Sequence, residues 1–415
     1  GDCGPYVQSE RLDLYRPAAE KLVKEGKAYY CFCSEERIHA VQEKARAEGK
    51  DFIGYDRHCR NLSEEEVQAH LDAGDPWVIR QKIPLEGTIA YDDAVYGRIE
   101  VENKTLDDQI LLKSDGFPTY NFANVIDDHA MGITHIVRGS EYLASTPKYV
   151  HLYKAFGYDV PIFVHLPLIN GPDGRKLSKR HGATSFEELV ADGFLPDAII
   201  NYLALLGWSP GTNQEIFSLK ELEEAFDFHG IGKAPAVFDI EKLRWFNEQY
   251  IKAMTPEEFT KTAQPYYEQI EGQPTKDMSK EQLDVLAEVL QPRTEQFTEI
   301  PEKLVFLSAV QDHDLDLYYH KRMKTDANDA LKVFPGLIER LKDTPWTIDD
   351  IGDAMRGYAS ELGVKNGKVM WPVRVAITGM KVSPGGAVEG LFLLGKEESM
   401  KRLQGALERL EKELN

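Results

Sequence analysis

Apolar positions recur at helical spacing from the start of the chain. Over Ser9 to Gly26, the residues Leu12, Tyr15, Ala19, Leu22 and Val23 fall on one face, and Gly26 stands where such a helix would stop. AYYCFC then reads as a short strand, and the charged stretch from Ser34 to Glu48 as a helix. Between 75 and 113 the pattern breaks into short strands, WVIRQKI, GTIAYDDAVYG, RIEVENKT and DQILLKS, punctuated by Gly and Asp. Residues 27–117 therefore predict a small α+β region. From 118 to 170 helices and strands alternate: TYNFANVIDDHAMG and TPKYVHLYKAFG as helices, THIVRG and PIFVHLPLI as strands. Alternation of this kind predicts a parallel sheet, with ligands gathered at the carboxyl ends of its strands. From Ser185 onward SFEELVADG, PDAIINYLALLGW and KELEEAF predict helices, a style that continues to SMKRLQGALERLEKELN. The segment 363–396 is richer in Gly and Val and is expected to be a long packed loop.

Composition narrows the class. With 415 residues, 42% of them hydrophobic, the chain can bury a sizeable core spread over about two to four domains. No apolar run approaches the ~20 residues that span a bilayer, and GDCGPYVQSER has no signal-peptide pattern, so a cytoplasmic protein is expected. The four cysteines agree, since Cys31 and Cys33 are too close for an ordinary structural disulfide. The net charge of −20, from 49 basic and 69 acidic residues, excludes an indiscriminate nucleic-acid binder. It leaves room for one specific RNA docked on a local basic face. The chain opens in a loop that runs straight into a helix, without an initiator Met or a preceding strand. Upstream sequence is expected to be missing.

One stretch carries the clearest chemistry. KLSKRHG, Lys176 to Gly182, holds two lysines, a serine and an arginine behind Asn170-Gly171-Pro172-Asp173-Gly174 and the apolar PIFVHLPLI. A turn-rich loop after a strand, with that many cationic donors, is suited to hold a polyphosphate. Tyr120 and Asn124 lie four apart, on one face of a helix, and Arg138 ends the strand before Glu141. Together these would form a polar, cationic pocket, an Arg there being able to grip a carboxylate with two nitrogens; the alternative is that Tyr120 and Asn124 are ordinary polar helix residues and Arg138 a surface charge. Cys31, Cys33 and Cys59 supply three thiolates, one short of a structural zinc site, with Tyr55 or His58 as the fourth ligand. His229-Gly230-Ile231-Gly232 reads as a helix-ending turn. Trp245, Phe246 and Trp371 read as core residues.

KLSKR resembles the KMSKS signature of class I aminoacyl-tRNA synthetases, in the form typical of glutamyl-tRNA synthetases. The neighbouring DGFPTYNFANVIDDHAMGITHIVRGSEYL, STPKYVHLYKAFG, INYLALLGWSP and KAPAVFDIEKLRWFN are similar to that family, as are VMWPVRVAITG and GLFLLGKEE, in family order over nearly the whole chain. The resemblance implies an α/β Rossmann-type catalytic domain, lacking its N-terminal segment, with an α+β acceptor-binding insertion. An all-α stem-contact region and an all-α anticodon-binding domain would follow.

The expected boundaries are 1–26 for the remainder of the first Rossmann half, 27–117 for the insertion and 118–175 for the second half. Residues 176–255 would be the KMSKS-type loop and stem-contact region, and 256–415 two anticodon-binding subdomains. By resemblance Lys179 and Lys176 are catalytic. Glu141, Ile169, Lys176, Ser178, Lys179 and Arg180 would bind ATP, and Tyr120, Asn124 and Arg138 would bind glutamate. Arg293 would read the last anticodon base, with Lys365, Lys368, Arg374 and Lys381 as further basic groups. Zinc would sit on Cys31, Cys33, Tyr55 and Cys59. Relatives that complete this site with a histidine place it where this chain has Asn61.

The implied reaction is glutamate activation by ATP with Mg²⁺ and transfer to tRNA(Glu), by a monomer. The family's HIGH motif does not occur in the chain, so the chain by itself is expected to be inactive. Two alternatives remain at this stage: a tRNA-binding fragment without catalysis, and a glutaminyl-tRNA synthetase, whose C-terminal half would be β-barrels rather than helices.

Overall fold

A computed structural model describes residues 1–49, 54–178, 180, 182 and 185–414. Two compact units are distinguished. The first comprises Gly1–Lys176, Leu206–Asn213 and Ala225–Val237; the second comprises Leu177–Leu205, Gln214–Glu224 and Phe238–Asn415.

The first unit begins with α1 (Leu12–Lys24), β1 (Ala28–Cys31), α2 (Glu35–Ala47) and α3 (Glu64–Asp72). It continues through β2 (Val78–Gln81), β3 (Thr88–Asp93), β4 (Gly97–Glu102), β5 (Ile110–Leu112) and α4 (Tyr120–Ala130). Then come β6 (His135–Gly139), α5 (Thr146–Phe156), β7 (Ile162–Leu166), β8 (Ile169–Asn170) and β9 (Ala236–Val237). Strands β1, β2 and β5 form one antiparallel sheet, while β4, β3, β7 and β6 form another in that order. Within the second sheet β6 and β7 run parallel with α5 as their crossover, and β3 joins β7 in parallel at Asp93 opposite Phe163.

The strands expected as one α+β region over 27–117 are thus shared between two sheets. Alternation along TIAYDDAVYG is the reason. Ile89 and Tyr91 of β3 are buried in the same core as Phe163 of β7, and the outward-facing β4 with Arg98, Glu100 and Glu102 is left as an edge. Both sheets share that core, with Tyr15, Leu22, Phe122, Tyr149 and Tyr153 packed into it. Arg11, 5% exposed, pins α1 to α4 through Asp127, at 2.8 Å, and Tyr15 donates to the same carboxylate at 2.8 Å.

The second unit is helical among its described residues. Its helices are α6 (Phe186–Ala191), α7 (Pro196–Leu205), α8 (Leu219–Ala225), α9 (Ile240–Ala253), α10 (Pro256–Tyr267), α11 (Lys280–Leu290), α12 (Ile300–Lys303) and α13 (Val305–Ser308). The last four are α14 (Ala327–Asp343), α15 (Ile348–Glu361), α16 (Gly367–Thr378) and α17 (Ala387–Leu414). Several start with reciprocal caps: Ser185 with Glu188, Thr255 with Glu258 and Ser279 with Gln282 each bond the other's backbone N–H. An N-cap of this kind is worth about 1 kcal/mol.

The expected loop over 363–396 is corrected. Its centre is α16, whose Val369, Val373, Val375, Ala376 and Ile377 are buried against residues of α14 and α17. Valine lowers helix propensity by a few tenths of a kcal/mol, whereas burying each side chain gains ~1.5 kcal/mol or more, so burial prevails. Glycine does act within GLFLLGKEE: Gly395, at φ 75°, breaks the regular path of α17 in a conformation other residues adopt at a cost. His229-Gly230 lies in a single turn, Phe228–Gly230, and Phe246 is buried as expected. No described helix is long and apolar enough to cross a membrane.

Candidate active site

Helix α4, strand β6 and the start of α5 converge on one guanidinium. Arg138, near the carboxyl end of β6, lies between the rings of Tyr142 and Tyr149, 5.2 Å from each centroid. Tyr149 donates to Asn121 Oδ1 at 2.7 Å, so its ring orientation is set by α4. The Tyr120 and Tyr142 rings stand 6.2 Å apart, and Tyr120 is 58% exposed at the rim. Arg138 Nη1 and Asn124 Nδ2 are both buried, and neither has a hydrogen-bond partner among the described residues. Asp128, one turn beyond Asn124 on α4, has its carboxyl pushed up by burial, partly offset by the charge of Arg138. Arg138 is thus half-buried against two rings rather than a free surface charge. Tyr142, Tyr149 and Asn121 were not anticipated from the sequence; Asn121 and Tyr142 adjoin the named positions Tyr120 and Glu141, whereas Tyr149 reaches the site only through the fold.

Glu141 follows at the short turn Ser140–Tyr142. Its carboxylate folds back over Gly139, where an added Cβ would lie 2.0 Å from Oε2, so glycine leaves the space this approach needs. Glu141 Oε1 receives Lys176 Nζ at 3.0 Å. Its own backbone N–H, and then Lys176, hold the carboxyl below the usual range, with a smaller contribution from His165. Both groups are substantially exposed, so the pair adds little to stability. Lys176 is presented by a tight turn that begins at β8: Asn170 bridges Lys176, and Gly171 N–H donates to Arg175 O at 2.8 Å. Ile169 pairs with Ala236 in the short β8–β9 ladder. Ser178 and Arg180 are exposed and belong to the second unit, while Lys179 lies outside the described residues.

The cysteines form a separate cluster in the first unit. The sulfurs of Cys31, Cys33 and Cys59 lie within 4.8 Å of one another. Cys33 and Cys59 are 3.5 Å apart, and the Tyr55 hydroxyl is 3.2 Å from Cys31 and 3.4 Å from Cys33. Tetrahedral zinc with Zn–S of ~2.3 Å puts its sulfurs ~3.8 Å apart, so three sulfurs and one phenolic oxygen on this scale fit such an ion. Tyr55 is buried beneath the Arg80 guanidinium, 3.9 Å from the ring centroid, whereas His58 is exposed and outside the cluster. The contact with Cys59 holds the Cys31 thiol low; the same contact, with burial, drives Cys59 up, and burial drives Tyr55 up.

Two features of the second unit carry its expected basic positions. Arg293 is exposed at the end of the turn Gln291–Arg293, its Nη1 donating to Val289 O at 3.0 Å. Elsewhere an open cavity of about 1260 Å³ is lined by Tyr319, His320, Arg322, Lys324, Trp371 and Lys381, among others. Trp371 is half-buried rather than core, because its ring forms part of this wall and its Nε1 donates to Leu317 O at 3.1 Å. Arg374 lies 4.2 Å from the Trp371 centroid, Lys368 pairs with Asp329 at 3.1 Å, and Lys365 stands at the start of α16.

Known proteins agree with this architecture. Residues 1–245 match the family model described as tRNA synthetases class I (E and Q), catalytic domain, and residues 258–407 match the model of an anticodon binding domain. The glutamate–tRNA ligase of Clostridium novyi is 50% identical over 100% of this chain and 84% of its own length. The chain belongs to the glutamate–tRNA ligase family. The ligase of Clostridium acetobutylicum is 49% identical over 99% of this chain and 84% of its own length. A crystal structure of the Elizabethkingia meningosepticum glutamate–tRNA ligase, solved in complex with its amino acid, superposes with a TM-score of 0.86. It is 34% identical and covers 98% of this chain and 85% of its own. Family membership accounts for the Rossmann-like catalytic unit and for the helical C-terminal half, which sets the glutaminyl alternative aside.

Proposed function

We propose that the enzyme to which this chain belongs activates L-glutamate with ATP and transfers the glutamyl group to the 3′-terminal adenosine of tRNA(Glu). The recess around Arg138 carries the reading. Two buried donors, Arg138 Nη1 and Asn124 Nδ2, meet no acceptor among the described residues. An unsatisfied buried donor costs about 1–3 kcal/mol, so a recess with two of them awaits an acceptor from outside. A carboxylate matches the guanidinium fork with two oxygens, and glutamate carries two carboxylates. Tyr120 closes the rim.

In activation an oxygen of the α-carboxylate attacks the α-phosphorus of ATP, and pyrophosphate leaves with the electron pair of the broken P–O bond. Little covalent chemistry falls to the protein; alignment and charge stabilisation do the work. Lys176 and Lys179, supported by Ser178 and Arg180, are the groups we assign to the phosphates, with Glu141 and the Ile169 backbone beside the nucleotide. In this structure Lys176 rests on Glu141, and a phosphate would compete for the same ammonium. Mg²⁺ accompanies ATP and screens its phosphate charge. In the second step the terminal ribose hydroxyl of the tRNA attacks the activated carbonyl, and AMP leaves. For tRNA we assign Arg293 to the anticodon. We add the cavity at Tyr319 and Trp371, whose aromatic faces beside Arg374 suit unstacked bases. The enzyme is assigned to the cytoplasm as a monomer.

The test is glutamate-dependent ATP–pyrophosphate exchange in the presence of tRNA. In the full-length enzyme Lys179→Ala is expected to slow exchange by ~10²–10³-fold and to weaken tRNA binding only severalfold. Equal losses in both would remove Lys179 from the activation step, and exchange that runs on glutamine instead of glutamate would overturn the substrate.

Zinc is assigned to Cys31, Cys33, Cys59 and Tyr55, where it would tie the loop carrying Tyr55 and Cys59 to β1. Elemental analysis is expected to find about one zinc per chain, and Cys59→Ser to lower that content severalfold. A purified chain without stoichiometric zinc refutes the site.

A further inference from the structure

Beneath the Arg138 recess runs a chain of buried hydrogen bonds that the activation chemistry does not itself call on. The side chains of Asp93 and His165 are wholly buried, and Asp93 Oδ2 lies 2.6 Å from His165 Nδ1. The other carboxylate oxygen accepts the backbone N–H of Val95 at 3.0 Å and of Tyr96 at 2.8 Å. On the far side of the ring, His165 Nε2 lies 3.1 Å from the hydroxyl of Thr146, itself fully buried. That hydroxyl donates to the backbone oxygen of Tyr142 at 2.9 Å.

The Thr146 hydroxyl donates to the Tyr142 carbonyl, because a carbonyl can only accept. Its oxygen also faces Nε2 of the imidazole, and the Asp93 carboxylate, already receiving two backbone N–H groups, faces Nδ1. The ring is held from both sides.

The sheet register puts this chain next to the recess. Arg138 on β6 pairs with His165 on β7, so their side chains share one face of the sheet. Asp93 pairs with Phe163, two residues from His165, and lies on that face as well. Helix α5 contributes both Thr146 at its first turn and Tyr149 against Arg138. The turn Ser140–Tyr142 between β6 and α5 has no side-chain cap of its own. Its Tyr142 carbonyl is held by Thr146 and by the Ser145 N–H at 2.9 Å. Tyr142 is also the residue whose ring flanks Arg138, and Glu141 is its neighbour.

We propose that His165 is a positioning residue for glutamate activation: through Thr146 it fixes the Tyr142 backbone, and so sets the aromatic wall at Arg138 and the carboxylate of Glu141. Asp93 orients the ring, and the strand pairing orients Asp93. The role rests on the reading of the recess as the glutamate site.

The test is steady-state pyrophosphate exchange with glutamate, ATP and tRNA varied in turn. Thr146→Val keeps the volume and removes the hydroxyl; it is expected to raise KM for glutamate roughly 10-fold or more and to leave KM for tRNA unchanged. Thr146→Ser, which keeps the hydroxyl, is expected to restore the wild-type value. His165→Gln retains a hydrogen-bonding group near the Nε2 position and is expected to lie closer to wild type than His165→Leu. An unchanged KM for glutamate in Thr146→Val overturns the proposal. Equal losses for glutamate and tRNA, or failure of Thr146→Ser to rescue, overturn it too. If the full-length wild-type enzyme shows no glutamate-dependent exchange, the reading of the recess falls first and the positioning role falls with it. A glutamate-dependent wild type with an indifferent Thr146→Val removes the positioning role alone.

Discussion

Arg138→Lys is expected to lower kcat/KM for glutamate in tRNA-dependent pyrophosphate exchange by ~10²–10³-fold, with KM for ATP changed by no more than about twofold. The substitution keeps the charge and discards the planar fork. Arg138 is seated between the Tyr142 and Tyr149 rings at 5.2 Å from each, a slot that fits a flat guanidinium and leaves an ammonium poorly packed. One of its nitrogens is buried without a hydrogen-bond partner among the described residues. Truncating one member of a buried charge pair costs about 2–5 kcal/mol, and 1.4 kcal/mol is a factor of ten. A kcat/KM for glutamate within tenfold of wild type would show that the carboxylate is held elsewhere. Because the effect is specific to glutamate, loss that falls equally on ATP would point to a collapsed recess instead.

Arg402→Leu is expected to destabilise the C-terminal helical unit by about 3–5 kcal/mol, read as a lower urea midpoint of its unfolding transition. Arg402 is 6% exposed. Its Nη1 donates to Phe306 O at 2.5 Å and Ile377 O at 2.7 Å, its Nη2 to Leu307 O at 3.4 Å, and its Nε to Glu398 at 2.7 Å. Those carbonyls belong to the closing turns of α13 and α16, which have no intrahelical donor of their own to spare. One guanidinium therefore caps two helices from a third. Leucine would fill part of the volume and leave up to three buried acceptors open, each worth about 1–3 kcal/mol. Arg402→Lys, with a single-point head, is expected to recover less than half of the loss. A midpoint shift equivalent to under 1 kcal/mol would mean that water satisfies these carbonyls.

Much of the helical architecture could be read along the chain, for a local reason. Ser185, Thr255 and Ser279 each precede Glu or Gln by three residues, so the capping partners are neighbours in sequence as well as in space. The apolar face of α1, with Tyr15, Ala19 and Leu22 fully buried, is likewise a property of its own spacing. Helix α16 was misread because its valines argue locally for extended or irregular chain, and only the buried packing against α14 and α17 outweighs that preference. The β3–β4 hairpin was recognisable as two strands. Its attachment to β7 was not, because the pairing joins residues about 70 positions apart through a single register point.

For the candidate site, residue types and spacing offered Tyr120, Asn124, Arg138 and the KLSKR run as candidates, and the family resemblance of the surrounding segments gave them and Glu141 their expected roles. Sequence also supplied three cysteines but left the fourth ligand open between Tyr55 and His58. The structure brings Tyr55 to Cys31 and Cys33 and leaves His58 exposed. Tyr142, Tyr149 and His165 had no motif to mark them. Tyrosine walls and a buried histidine acquire meaning only from what faces them, and here those neighbours are Arg138, Thr146 and Asp93.

The sequence by itself thus determined the local elements, the charge inventory and the family, because caps, periodicity and short motifs act within a few residues. Tertiary structure alone decided which sheet receives the β3–β4 hairpin and which side chains wall the guanidinium. It also decided which carbonyls Arg402 must cap. Those outcomes depend on burial and on hydrogen-bond partners distant in sequence, and the free energy of both exists only once the chain has closed on itself.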